Sequence, residues 1–380
     1  MRQFWKLAAM TALAAGLLTC GAYAALPETL VPVGQTIGLQ LQTDGVSIVE
    51  FAGDNPCAKN AGLRRGDIIR KIDTTQVTTV QEVMAAVEQS DGSALTVTFE
   101  RAGEERCVKL APQQTADGWR LGVYVRDSIT GIGTVTYYNT ETGEFGALGH
   151  GVNDSVTAQL LPLRSGTVIP SQVASVAKGA VGKPGALQGA LLNQTQLGVI
   201  AQNTEHGIFG TMSPIGTGHA LPVAKNAEIR TGSATILSNV SGTEVREYSI
   251  RIRALCPDDP HGRNLLIEVT DPALLDQTGG IVQGMSGSPI LQNGKLVGAV
   301  THVLVNDPTQ GYGIFIENML NTAQTAASPR YISFIDMKVK KYPKLFESRV
   351  LTLDRPHQDP NLRRNHHRRI YIFSEEQSLH

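Results

Sequence analysis

Aromatic side chains are scarce in this chain: nine Phe, nine Tyr and two Trp make 5% of 380 residues. Charge of a single sign is lacking too, because 33 Lys and Arg face 34 Asp and Glu for a formal net charge of -1. That balance removes the bulk electrostatic attraction on which nucleic-acid binding depends, so no nucleic-acid partner is expected. A membrane-spanning run is missing as well. The apolar stretch Leu7 to Leu18 falls short of the ~20 residues that cross a bilayer as a helix, and no second stretch of spanning length exists. Cysteine is confined to Cys20, Cys57, Cys107 and Cys256. What the chain has in quantity is glycine, 39 residues, where about 27 would be usual for this length. With 41% apolar and 18% charged residues it can bury real cores and is too apolar for general disorder. Many turns joining short strands fit this composition better than a bundle of long helices, and the length allows two domains or three small ones.

The amino terminus reads as an export segment over residues 1–26. Arg2 and Lys6 precede the apolar run, and the small-residue stretch Thr19 to Ala24 follows it, the order of a secretory signal with a cut after Ala24. An uncleaved signal-anchor is the alternative, because Tyr23 to Leu26 extends the apolar stretch. Either way the remainder is expected outside the cytoplasm. There, Cys57 and Cys107 could pair in an oxidising compartment or stand as two separate thiols.

Residues 33–125 read as strand, turn, strand, helix, strand, strand. Ile37-Gly38-Leu39-Gln40-Leu41 alternates into a strand, and Val46 to Val49 forms another. Ala61-Gly62-Leu63-Arg64-Arg65-Gly66-Asp67-Ile68-Ile69 runs from a helical turn ending at Gly62, through a tight turn at Gly66-Asp67, into an apolar strand. Val77 to Glu88 is an amphipathic helix with Val80, Val83, Met84 and Val87 on one face. These residues resemble a PDZ domain, the Ala61 to Ile69 run most specifically. The resemblance implies that a peptide C-terminus or extended segment adds as a strand beside Leu39 to Leu41, its carboxylate received by N–H groups in the loop Ile37, Gly38, Leu39. The bland alternative is that the same glycines only make turns in an α+β domain.

From about Gly131 the pattern changes to short β runs with frequent Gly, as in Ile132 to Tyr138 and Val297 to Val303, which argues for an antiparallel sandwich or barrel. Gly179 to Gly189 is the expected boundary between two β halves. The sharpest motif is Gly284-Met285-Ser286-Gly287-Ser288-Pro289, followed by a strand, the turn Gln292-Asn293-Gly294-Lys295 and another strand. A nucleophilic Ser needs its hydroxyl on a sharp turn with backbone N–H groups aimed at the developing oxyanion, and flanking glycines allow that path. The pattern resembles the nucleophile loop of chymotrypsin-like serine peptidases, although an ordinary Gly/Ser turn would look the same. Serine also needs a base. His150 lies between Gly149 and Gly151 at the end of an apolar segment. His206 and His219 stand in Gly-rich loops and remain rivals. His302, on the strand after the nucleophile, suits a substrate pocket better than a base.

Together with the upstream module, these motifs resemble the stage IV sporulation protein B family of serine peptidases. The matching runs are Phe145 to His150, Gly207 to Thr211, Thr278 to Pro289, Gly298 to His302, Val305 to Pro308 and Gly311 to Ile314. The resemblance implies a mainly β chain: a PDZ-like α+β domain at 33–125, then a chymotrypsin/trypsin-like double β-barrel serine peptidase at 131–320. It further implies Ser286 as nucleophile, His150 as general base and Asp271 as the acid, with Asp154 or a backbone carbonyl as other ways to orient His150. Gly284 and Ser286 N–H groups would form the oxyanion hole, and neither metal nor cofactor is required. Implied substrates are the chain itself and a membrane-associated regulator of pro-sigma-K processing, reached between the forespore and mother-cell membranes. A different class stays open: an exported PDZ scaffold whose peptidase-like barrel is inactive.

Residues 328–380 depart from that pattern. They hold 11 Lys and Arg, 6 Asp and Glu, and four of the nine His, and read as a solvated basic tail, with attraction to anionic lipid or an out-of-frame coding end as the other readings.

Overall fold

The structure is a computed structural model that describes residues 25–53, 56–193, 195–216, 218–326 and 371–372. The export segment up to Ala24, with Cys20, and nearly all of the basic tail lie outside the described residues. Among the described residues no helix is long and apolar enough to cross a membrane.

A single strand organises the first half of the molecule. After β1 (Thr29–Pro32), strand β2 (Thr36–Phe51) runs for 16 residues. Its apolar alternation buries Ile37, Leu39 and Leu41, then Val46 and Ile48. The phase switches from odd to even positions because a bulge intervenes, where the register against its partner shifts between Gln42 and Ser47. Gly45 makes this possible with φ +104°, and Thr43 Oγ1 donates to its carbonyl at 2.7 Å. The two halves of one strand thereby serve two different cores.

The second half of β2 opens the PDZ module. It pairs with β3 (Ile68–Ile72), β3 with β4 (Thr75–Gln76) and β5 (Leu95–Arg101), and β5 with β6 (Glu104–Leu110). A short helix α1 (Cys57–Asn60) precedes β3, and helix α2 (Val80–Gln89) lies between β4 and β5. Thr79 and Glu82 form a capping box at its start. Helix α2 buries Val83 and Val87, whereas Met84, expected on the same face, is 49% exposed. The Gly66-Asp67 turn carries a buried carboxylate: Asp67 receives both Nε and Nη2 of Arg101 at 2.6 Å. The hairpin β7 (Gln113–Thr115) and β8 (Gly118–Arg120) closes the module. Cys57 donates its thiol to the Leu121 carbonyl, burial pushes its pKa up, and Cys107 is exposed, so the two stand as separate thiols.

The chain then returns along β9 (Val123–Tyr138), which pairs with β2 along nearly its whole length. It continues through β10 (Glu144–Ala147), β11 (Leu163–Ala177), β12 (Ala186–Leu191), β13 (Gly198–Thr204) and β14 (Gly207–Met212). The pairings β2–β9–β10–β14–β13–β11–β2 close a six-stranded ring, with β12 added to β11. The expected PDZ module and pair of barrels are both present, and the module shares strands with the first barrel. The module is inserted into the first barrel, between Thr36–Thr43 and Ser128–Tyr138, and a continuous β2–β9 ribbon joins them. The expected boundary at residues 179–189 is corrected, because β11 and β12 on either side of it both belong to the first barrel. The crossing comes after Met212 and includes β15 (Leu221–Pro222), which pairs with β1.

The second barrel is contiguous: β16 (Gly232–Ser241), β17 (Glu244–Leu255), β18 (Leu265–Val269), β19 (Pro289–Gln292), β20 (Lys295–Val303) and β21 (Gln310–Phe315) close on themselves. Asn293 and Gly294 both take positive φ, as a two-residue hairpin turn between β19 and β20 demands. Helix α3 (Pro272–Thr278) precedes the nucleophile loop, and helix α4 (Ile316–Ala326) follows β21. Strand β22 (Tyr371–Ile372) lies parallel to Gly131–Ile132 of β9.

Candidate active site

The loop joining α3 to β19 is held by alternating backbone bonds. Met285 N–H donates to Val282 O, Gly287 N–H to Val300 O at 2.7 Å, and Ser288 N–H to Met285 O at 2.9 Å. The amides of Gly284 and Ser286 donate to no acceptor among the described residues. Two N–H donors two residues apart, beside a serine hydroxyl, are the arrangement that receives an oxyanion. Gly287 is required for shape: its φ is +97°, and a Cβ there would stand 2.1 Å from Thr134 O.

His150 arrives from the first barrel, just beyond β10. Gly149 packs against Thr301, and the His150 ring lies 5.2 Å from that of His302, centroid to centroid. Ser286 Oγ donates to the Thr301 carbonyl at 2.7 Å, not to His150. Both catalytic candidates thus converge on the Thr301–His302 end of β20, one from each barrel, and both side chains are buried. His150 Nδ1 is 2.8 Å from Gly151 O. A donating Nδ1–H fixes the tautomer that leaves Nε2 as the basic nitrogen.

Asp271 is not part of this convergence, which corrects the expectation that it orients His150. One carboxylate oxygen caps α3 through Ala273 N–H and Leu274 N–H, and the other receives Ser249 N–H at 3.2 Å. It makes no hydrogen bond or ion pair with His150. The physical reason is legible in the sequence, since Asp followed by Pro is a helix N-cap with its N1 residue. Asp154 is committed elsewhere too: it holds Arg126 at 2.6 Å and the amides of Val156 and Thr157. Burial alone would raise its pKa, but Arg126 and these amides outweigh it and hold the carboxyl below its ordinary value. Of the rival histidines, His206 contacts Thr322 Oγ1 at 2.9 Å and His219 is exposed.

Asn203, which the motif reading missed, stands beside the base loop. Its side chain accepts from Val152 N–H and donates to Val152 O and Leu161 O. It thereby fixes the backbone two residues after His150.

The expected PDZ carboxylate loop is also corrected. Ile37, Gly38 and Leu39 pair with Pro170, Ile169 and Val168 on one side and Gly133, Ile132 and Gly131 on the other. A strand paired on both edges cannot add a peptide. The module's open edge is instead β9 from Val123 to Thr130, which no strand among the described residues covers on the side away from β2.

The sequence matches the family model of the SpoIVB peptidase S55 over residues 117–320 and that of the PDZ domain over 36–111. A curated relative named "Putative zinc metalloprotease", from Agrobacterium fabrum, is 34% identical over 87 residues. The aligned part is 23% of this chain and 23% of that protein, so the chain spans under a quarter of its length. Among solved structures, an inactive form of the Rv3671c protease of M. tuberculosis is similar at 17% identity and TM-score 0.30, over 53% of this chain and 84% of that one. The PDZ domain of an SdrC-like protein from Listeria monocytogenes is similar at 19% identity and TM-score 0.20, over 22% of this chain and 87% of that one.

Proposed function

The chain belongs to the SpoIVB peptidase S55 family, and from that premise we propose that it is a serine endopeptidase with Ser286 as nucleophile and His150 as general base. The observation that carries this is the convergence on Thr301–His302, where a buried serine hydroxyl beside two uncommitted backbone donors meets Thr301 and an imidazole of fixed tautomer meets His302. Ser286 Oγ turns from Thr301 O to His150 Nε2, which takes its proton as the oxygen attacks a peptide carbonyl. The amides of Gly284 and Ser286 receive the oxyanion. His150 then gives the proton to the leaving amine, and water hydrolyses the acyl-enzyme by the same route. The Gly151 carbonyl takes the orienting part assigned elsewhere to a carboxylate.

The substrates we propose are the chain itself and a membrane-associated regulator of pro-sigma-K processing, met outside the cytoplasm between the forespore and mother-cell membranes. An export segment that is cleaved or retained as an anchor would place the chain there. Self-cleavage falls before Thr29, because β1 is paired with both β9 and β15. The PDZ module binds peptide at the open β9 edge, where Val80 N–H of α2 reaches Asp127 at 2.9 Å.

One observation favours the scaffold alternative: Ser286 engages Thr301 and not His150, although catalytic hydrogen bonds often form only with substrate bound. Comparing full-length wild type with Ser286→Ala for self-processing and peptide cleavage separates the two. Processing only in the wild type supports a peptidase, and equal processing in both sinks it.

A further inference from the structure

Thr134 is fully buried on β9 and belongs to no motif. It nevertheless touches both catalytic loops. Its hydroxyl donates to Gly284 O at 2.8 Å and its N–H to Ser286 O at 3.3 Å. Its carbonyl accepts Leu148 N–H at 3.2 Å. Leu148 takes φ +69°, a left-handed conformation unusual for Leu, two residues before His150. The neighbour Gly133 is packed so tightly under Leu148 that a Cβ would stand 2.3 Å from its side chain.

We propose that Thr134 is a positioning residue for the reaction, an inference that rests on the serine-peptidase reading. Pinning the carbonyls of Gly284 and Ser286 fixes the two peptide planes that bracket the Met285–Ser286 peptide, and so constrains where the Ser286 N–H points and anchors the residue that carries the Gly284 N–H. The same residue holds the strained turn that delivers His150. One buried threonine thus keeps the oxyanion donors of the second barrel in register with the base of the first. Its hydroxyl acts on the nucleophile loop alone, whereas its backbone holds both loops, so the hydroxyl's part can be separated by substitution.

The test measures labelling of the full-length chain by a fluorophosphonate probe across probe concentration and pH. Thr134→Val keeps the shape but leaves Gly284 O buried without a donor. The expected maximal labelling rate falls about 10²-fold, the scale of a misplacement near 1 Å. The half-saturating probe concentration changes less than about two-fold, and the pH midpoint stays put because His150 keeps its backbone support. Thr134→Ser, which retains the hydroxyl, recovers the rate to within about three-fold. If Thr134→Val does not fold, Thr134→Ala removes the same hydroxyl and is read in the same way. Wild-type labelling rates in the hydroxyl-free variants would overturn the proposal, as would equal slowing of Thr134→Val and Thr134→Ser. A wild-type chain that takes no probe at Ser286 would instead overturn the peptidase reading beneath it.

Discussion

The two barrels differ in how the chain makes them. The second is built from one contiguous stretch, Gly232 to Phe315, with no other module inserted. The first starts at Thr36, leaves at Thr43 to build an entire PDZ module, and resumes at Ser128. The nucleophile loop is held mainly by its own barrel, where Val282, Met285 and Val300 receive its backbone bonds, with Thr134 reaching Gly284 O and Ser286 O from the first barrel. The base loop is held from afar, by Asn203 and by the Arg126–Asp154 pair on the ribbon leading from the module. Nucleophile placement thus rests mostly on local bonds plus Thr134 of the first barrel, whereas base placement depends on the whole first barrel and its insertion.

The largest effect should be shared equally by the two barrels. Ser286→Ala and His150→Ala should each lower kcat/KM for a peptide substrate by at least ~10⁴-fold with the melting temperature little changed, and an asymmetric loss would break the comparison. Next, Asn203→Ala should reduce kcat by roughly 10-fold to 10²-fold by freeing Val152, and unchanged turnover would show that the base loop holds itself.

Arg126→Ala should destabilise the chain by about 3 kcal/mol, since it strands a buried carboxylate. The Asp154 carboxyl is lowered in the folded state, so its contribution is fully present above the ordinary carboxylate pKa of about 4 and is lost as pH falls through the depressed value. Denaturant titrations should therefore show the gap between wild type and Asp154→Asn shrinking below that pH, and a constant gap would contradict the assignment. The smallest effect belongs to Asp271. Asp271→Ala should cost about 1 kcal/mol as a lost cap and Asp271→Asn less, with turnover within a few-fold in both. A triad acid would instead cost up to ~10⁴-fold in turnover.

What could be read in advance follows the same division. The Ser286 loop, the Asn293-Gly294 turn and the Gly66-Asp67 turn were legible because each is specified by adjacent residues. Ile37-Gly38-Leu39 was misread because a half-buried alternation looks the same whether its partners are a bound peptide or strands about 90 and 130 residues away. The phase switch at Gly45 was visible and would have marked the division of β2. Asp271 was placed by family position, while Thr270-Asp271-Pro272 spelled a helix start. Thr134 and Asn203 carry no sequence signal, because their importance lies wholly in carbonyls and amides that the fold brings to them.

The central claim is that one loop from each barrel makes a single reactive serine. Peptide mapping by mass spectrometry after fluorophosphonate treatment of the full-length chain tests it most directly. The account predicts one phosphonylated residue, Ser286, with the adduct lost in His150→Ala and retained in Asp271→Asn. An adduct on another residue, or one that survives His150→Ala and vanishes in Asp271→Asn, would contradict it.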